Sequence, residues 1–121
     1  MEKAKTFEDL KVWQKAHELC LLVYKITRDF PSEEKFGLVS QMRRAAVSVA
    51  ANLAEGFKRR TKRDKAHFYN TSQSSLEELR YYFILSKDLG LKADSPEITE
   101  LFDHIGRMLN RLIDSLNIET R

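Results

Sequence analysis

Apolar residues fall on one helical face in four successive stretches, and that repetition restricts the chain to a helical fold. In the first stretch Leu10, Trp13, Ala16, Leu19, Cys20, Val23, Ile26 and Phe30 recur at steps of three, one and four, the spacing of a single helix face. The second carries Leu38, Met42, Ala45, Val49 and Leu53. The third carries Phe68, Ser72, Ser75, Leu76, Leu79, Phe83 and Ser86, and the fourth Ile98, Leu101, Phe102, Ile105, Met108, Leu109, Leu112 and Leu116. Only four Gly and two Pro occur in 121 residues. Sandwiches and barrels need denser turn chemistry than that, so an all-β fold is disfavoured.

Local signals place the ends. Thr6 with Asp9 fits a capping box, and Pro31 stops the first helix at Phe30, because a residue before proline avoids the α region. Ser32 reads as the next N-cap, with Glu33 and Glu34 in the first turn, where the helix dipole favours anions. Thr61 with Asp64 opens the third helix, which Gly90 closes. Ser95 followed by Pro96 and Glu97 opens the fourth. The expected helices are residues 7–30, 33–57, 62–89 and 96–117, in one domain over residues 1–121. The tail from Ile118 to Arg121 is expected to fray. Short connections make successive helices antiparallel neighbours, so the expected fold class is all-α: an up-down-up-down four-helix bundle about 30–35 Å long.

Composition narrows the setting. No run of 18 apolar residues is present, so no membrane span is expected. The stretch Met1 to Asp9 mixes charges and does not read as a signal peptide. A single cysteine, Cys20, excludes an internal disulfide and fits a reducing compartment, so the expected location is the cytoplasm. The formal net charge of +3 is unevenly placed. Residues 58–65 hold Lys58, Arg59, Arg60, Lys62, Arg63 and Lys65 against Asp64 alone, a local +5. The other 113 residues carry 15 cations and 17 acids, a net of −2. This block is the expected nucleic-acid-binding site, because clustered cations bind phosphate backbone without reading sequence.

The second helix departs from the usual surface pattern. From Ala45 to Ala54 ten residues pass without a charge, nearly three turns with no charged face for water. Cover by a second copy of the chain is the simplest explanation. Beside its apolar stripe runs a polar one, Gln41, Arg44, Ser48, Asn52 and Glu55, at steps of three and four. A solvated face is one reading. The favoured one is a hydrogen-bonded network between helices or subunits, since these side chains can satisfy one another.

The run from Gln41 to Gly56, with Arg43-Arg44-Ala45, Ser48, Asn52 and Ala54-Glu55-Gly56, closely resembles the signature of the 23S rRNA intervening-sequence protein family, also called the four-helix-bundle protein family. Phe7, Leu10 and Trp13, Phe30-Pro31, Glu34, Phe36-Gly37-Leu38, Phe68, Ser75-Leu76 and Glu78-Leu79 add to the match, which spans residues 7–79. Ser72 and Ser74 depart from it, standing where the family usually has Ala and Gly. The resemblance implies a bundle that assembles into a ring-like homo-oligomer, with a pentamer favoured, and no established enzymatic activity. It is also similar to the accessory variability determinant of diversity-generating retroelements, which binds nucleic acid and a reverse transcriptase. The implied partners are therefore other copies of the chain, RNA or DNA, and a partner protein such as a reverse transcriptase. In a five-membered ring the basic block repeats into a zone of about +25. The family match also suggests that Glu78 meets an arginine such as Arg44 in the inter-helix network.

Other chemistry is thin. His17 and Cys20 are two potential ligands where a metal site needs three or four, and His104 reads as a surface residue, so no metal or cofactor is expected. Glu77 and Glu78 are adjacent and diverge by about 100° on a helix. A minor alternative is a metal-independent ribonuclease resembling the HEPN proteins. In it His67 would be the acid–base and Arg60 the phosphate holder, provided the third helix starts early enough to carry both. The sequence therefore predicts a non-enzymatic RNA-binding or accessory scaffold protein, with a protein–protein adaptor as the alternative. Salt-dependent RNA binding separates the two.

Overall fold

The computed structural model describes residues 3–93 and 95–118. Most of the tail expected to fray, Glu119 to Arg121, lies outside them. Four helices account for the fold: α1 (Lys11–Thr27), α2 (Ser40–Lys58), α3 (Lys62–Asp88) and α4 (Pro96–Asp114), with no strand among the described residues. Each helix packs on the next and α4 returns to α1, so the four close a bundle. Contacts between α2 and α3 run Met42 to Ser86, Ser48 to Ser75 and Gly56 to Tyr69, which makes that pair antiparallel. Phe83 against Phe102 and Gln73 against Asn110 make α3 and α4 antiparallel as well. The core sits on the common axis: Leu19 and Val23 of α1, Met42, Val49 and Leu53 of α2, Leu79 of α3, and Ile105 and Leu109 of α4 are fully buried. Among the described residues no helix is long and apolar enough to cross a membrane.

The first helix is shorter than expected. The Thr6–Asp9 capping box forms, but it caps a 3-10 turn, Phe7–Asp9. Leu10 is extended (φ −75°, ψ 124°) and separates that turn from α1. At the far end the helix stops at Thr27, and Phe30 is buried from the turn that follows. The buried line of α1 is Val12, Ala16, Leu19, Val23 and Thr27, so two members lie outside the expected face. Thr27 is tolerated there because its hydroxyl donates to the Val23 carbonyl at 2.7 Å.

The entry to α2 also differs. Ser32 lies inside a 3-10 turn (Ser32–Glu34) rather than capping a helix. A π-helical segment, Lys35–Val39, follows, and the Glu34 carboxylate accepts from the Leu38 amide at 3.4 Å. Only from Ser40 is the helix regular. The remaining ends fall close to expectation. Thr61 accepts from the Asp64 amide at 3.1 Å and caps α3. Gly90 takes φ +79°, with its amide on Lys87 and the Leu91 amide on Ser86, the hydrogen-bond pair of a Schellman ending. Ser95 has the extended backbone of an N-cap but makes no side-chain cap bond, and Pro96 opens α4, which ends at Asp114 rather than residue 117.

Candidate nucleic-acid interface

The expected binding residues gather at the α2–α3 end of the bundle, across a turn of three residues, Arg59 to Thr61. Lys58, Arg60, Lys62 and Arg63 are exposed and form no ion pair among the described residues. Lys62 and Arg63 stand in the first turn of α3, where the helix dipole is itself positive and disfavours cations. Helix stability does not explain them.

Two cations of the block are engaged by neighbouring groups. The Arg59 guanidinium pairs with Glu55 at 2.9 Å and lies 4.4 Å from the centre of the Phe68 ring. The Lys65 ammonium donates to the carbonyls of Phe57 at 2.7 Å and Gly56 at 3.2 Å, closing the C-terminus of α2. Partial burial pulls its pKa below the usual lysine value. Phe57 and Phe68 lie under these two cations, so the aromatics nearest the block are already occupied. Glu55 cancels Arg59, while Lys65 keeps its charge on neutral carbonyls, so with Asp64 the turn carries +4 per chain rather than the +5 of the bare sequence. What remains suits phosphate rather than bases.

The polar stripe of α2 splits in two. Ser48 and Asn52 are half-buried and linked: the hydroxyls of Ser48 and Ser75 share a hydrogen bond of 2.7 Å, and Asn52 Nδ2 donates to both Ser48 oxygens at 2.9 Å. Glu55 serves Arg59. Gln41 and Arg44 are exposed and make no side-chain hydrogen bond among the described residues. Glu78 does not pair with Arg44; its carboxylate accepts from the Tyr82 hydroxyl at 2.8 Å. That bond and the carboxylate's charge push the phenol pKa up, while the Arg44 charge works weakly the other way.

Residues 8–111 match the family described as 23S rRNA-intervening sequence protein. The chain belongs to that family. A crystal structure of a protein of unknown function from the S23 ribosomal protein family of Bacteroides thetaiotaomicron VPI-5482 is similar. Its TM-score is 0.74 at 20% identity, over 85% of this chain and 95% of that one, which shows the shared fold. Comparison with curated proteins finds no match.

In this intervening-sequence family protein the signature segment forms most of α2, and its small residues serve close packing. A Cβ on Gly56 would meet Tyr69 Cε1 at 2.6 Å. The hydroxyls at the departing position Ser72 and at Ser86 are fully buried and answered: Ser72 donates to the Val49 carbonyl and Ser86 to that of Tyr82, each at 2.7 Å. Arg60 precedes α3 and His67 lies on it, exposed, so the two do not share the helical face that the ribonuclease alternative requires. His17 is exposed and stacked on Trp13 at 5.1 Å, and His104 is exposed. No group of three metal-ligating side chains converges among the described residues.

Sequence reasoning missed a groove on the outer side of α2. Its larger part, about 670 Å³, is lined by Tyr24, Phe36, Val47, Ala51, Arg43 and Arg44, among others. A second part, about 620 Å³, continues past Ala51 to Ala54, Phe57 and the N-terminal turn. The uncharged run was its only trace in the sequence.

Proposed function

We propose that this protein is a non-enzymatic, homo-oligomeric nucleic-acid-binding scaffold of the reducing cytoplasm, holding RNA by its phosphates. The observation that carries this reading is the α2–α3 turn, where Lys58, Arg60, Lys62 and Arg63 are exposed without acid partners among the described residues. Two of them stand at a helix N-terminus that already favours anions. Repetition around a ring multiplies weak phosphate contacts into useful affinity. The nearest aromatics, Phe57 and Phe68, are already covered by Lys65 and Arg59, so the expected binding is to phosphate, sequence-tolerant and falling steeply with salt.

The test is a titration of a short RNA and a short duplex at several salt concentrations, with the wild-type protein and with Lys58, Arg60, Lys62 and Arg63 changed to Ala. Weaker affinity together with a shallower salt slope supports the reading. Unchanged affinity removes the turn as the site. Absence of RNA binding by the wild-type protein favours an adaptor role, for which the apolar groove of α2 would be the docking surface. RNA cleavage that disappears in His67→Ala would revive the ribonuclease alternative.

A further inference from the structure

The corner between α1 and α2 holds a small basic pocket, at the opposite end of α2 from the basic turn. From Arg43 to Lys58 the helix runs about 22 Å. The pocket measures about 270 Å³, and Thr27, Arg28, Ser32, Lys35 and Arg43 supply its polar lining. Three of these are cations and none is an acid. None of the three forms an ion pair among the described residues. Asp29, Glu33 and Glu34 belong to the same connection but do not line the pocket. Asp29 and Glu33 are exposed, and the Glu34 carboxylate accepts from the Leu38 amide.

The surroundings hold these groups in place. Arg43 Nε donates to Thr27 Oγ1 at 3.0 Å, its NH2 donates to the Tyr24 carbonyl at 3.3 Å, and its guanidinium lies 4.6 Å from the Tyr24 ring centre. Thr27 is buried and its own hydroxyl donates to the Val23 carbonyl at 2.7 Å, so the anchor is fixed. The guanidinium keeps further N–H groups for a ligand. Buried Phe30 and the restricted φ of Pro31 stiffen the turn between Arg28 and Ser32. Arg28 is the C-cap of α1, where the helix dipole favours a cation. Lys35 has no such reason. It is exposed in the π-helical segment, its ammonium 5.5 Å from the Phe36 ring centre. Cations gathered without an acid repel one another, and a bound anion removes that cost.

Size and charge select the anion. The pocket lies below the roughly 300–1,000 Å³ that organic ligands occupy, so a compact head enters and the rest of the ligand stays outside. A carboxylate brings one charge. A phosphodiester also brings one charge, and carries a substituent on both sides. A phosphomonoester brings three free oxygens and a charge of about −1.5 to −2 to the three cations. Arginine adds a planar fork of donors that matches phosphate oxygens. We propose that the α1–α2 corner binds a phosphomonoester, held by Arg28, Lys35 and Arg43. The site is separate from the α2–α3 turn and does not depend on RNA binding there. A free mononucleotide and the 5′-phosphate end of an RNA both carry the group.

Isothermal titration calorimetry of the full chain tests it. Wild type is compared with a background in which Lys58, Arg60, Lys62 and Arg63 are changed to Ala, which removes the competing phosphate contacts. AMP and inorganic phosphate are expected to bind in both, and adenosine in neither. Arg28→Ala and Lys35→Ala, each made in the background, are expected to weaken AMP binding by about tenfold or more. Both side chains are exposed, so helicity by circular dichroism is expected to be unchanged. Arg43→Lys keeps the charge but loses the fork, and is expected to weaken AMP as well. Two RNAs of one sequence, with a 5′-phosphate and with a 5′-hydroxyl, separate the sources. Tighter binding of the phosphorylated RNA that Lys35→Ala abolishes supports the site and assigns it to RNA ends. Equal binding of the two RNAs, with AMP still bound, supports it and assigns it to free mononucleotides. No saturable binding of AMP, inorganic phosphate or 5′-phosphorylated RNA overturns the proposal. AMP binding that survives all three substitutions in folded protein, or adenosine binding as tightly as AMP, overturns it equally.

Discussion

Gly56 and Gly106 each sit inside an α-helix, and the same substitution should move stability in opposite directions at the two sites. An alanine Cβ at Gly56 would stand 2.6 Å from Cε1 and 2.8 Å from Cδ1 of Tyr69, and 3.1 Å from the Phe68 Cβ. Tyr69 is only 2% exposed, so its ring cannot swing outward without opening the core. Overpacking of that kind costs about 1–3 kcal/mol, and the better helix propensity of alanine returns up to about 1 kcal/mol. The expected net effect of Gly56→Ala is a loss of about 1 kcal/mol. At Gly106 the nearest atom to a new Cβ is Leu76 Cδ2 at 4.0 Å, an ordinary contact. There the propensity gain stands alone, and Gly106→Ala should stabilise by about 1 kcal/mol. In a chain of this length 1 kcal/mol moves the melting temperature by about 4 °C. The two variants should therefore melt about 8 °C apart, on opposite sides of the wild type. The assay is thermal unfolding followed by circular dichroism at matched protein concentration, because assembly makes Tm concentration-dependent. Should Gly56→Ala melt as high as Gly106→Ala, the close approach of α2 and α3 is not what requires glycine at that position.

Three further outcomes are expected. Lys62→Ala should flatten the dependence of log affinity for single-stranded RNA on log salt by about 0.7 for each phosphate the lysine neutralises, whereas Lys65→Ala should leave that slope unchanged and lower stability by about 1 kcal/mol, because its ammonium closes α2 instead. Thr61→Ala removes the cap on the Asp64 amide and should cost about 1 kcal/mol in chemical denaturation, with RNA affinity retained at concentrations where the protein is folded. Burial raises the pKa of the half-buried Cys20 thiol, so a thiol reagent at about pH 8 should modify the native protein more slowly than the unfolded chain. The folded state holds that proton longer, so this group's contribution to stability should fall as pH climbs past the pKa of the unfolded thiol. Equal modification rates for the folded and unfolded protein would refute the thiol reading.

What could be read from the sequence was whatever a few neighbouring residues decide. Thr61 with Asp64, Gly90 at the end of α3 and Pro96 at the start of α4 act within one turn, and each stands where it was expected. The Thr6–Asp9 signal was equally local but ambiguous, since the same box caps a 3-10 turn as well as an α-helix. Ser32 followed by two acids mimics an N-cap, yet the structure places it within a 3-10 turn, and nothing in the side chains announces the π-helical segment that follows. The six cations were visible by composition. The contacts of Arg59 with Phe68 and of Lys65 with the α2 carbonyls were not, because they depend on α3 folding back against the end of α2, whereas the Glu55–Arg59 pair is local, four residues apart. Glu78 shows a local contact taking the place of a remote one: Tyr82 stands four residues on along the same helix and holds the carboxylate expected for Arg44. Of the α2 stripe only Ser48 and Asn52 join a cross-helix link, and its partner, Ser75, was read only as part of an apolar face.

The π-helical segment at Lys35–Val39 gives this corner a tolerance that the rest of the bundle lacks. A π turn contains one more residue than an α turn covering the same rise. Removing a residue from the middle of α2 would rotate everything beyond it by about 100° and carry Leu53 out of the core. Removing one between Lys35 and Val39 would let the wide turn tighten to an α turn, with the register from Ser40 onward intact. Among homologous chains, single-residue length changes within this helix should therefore collect here, at its entrance.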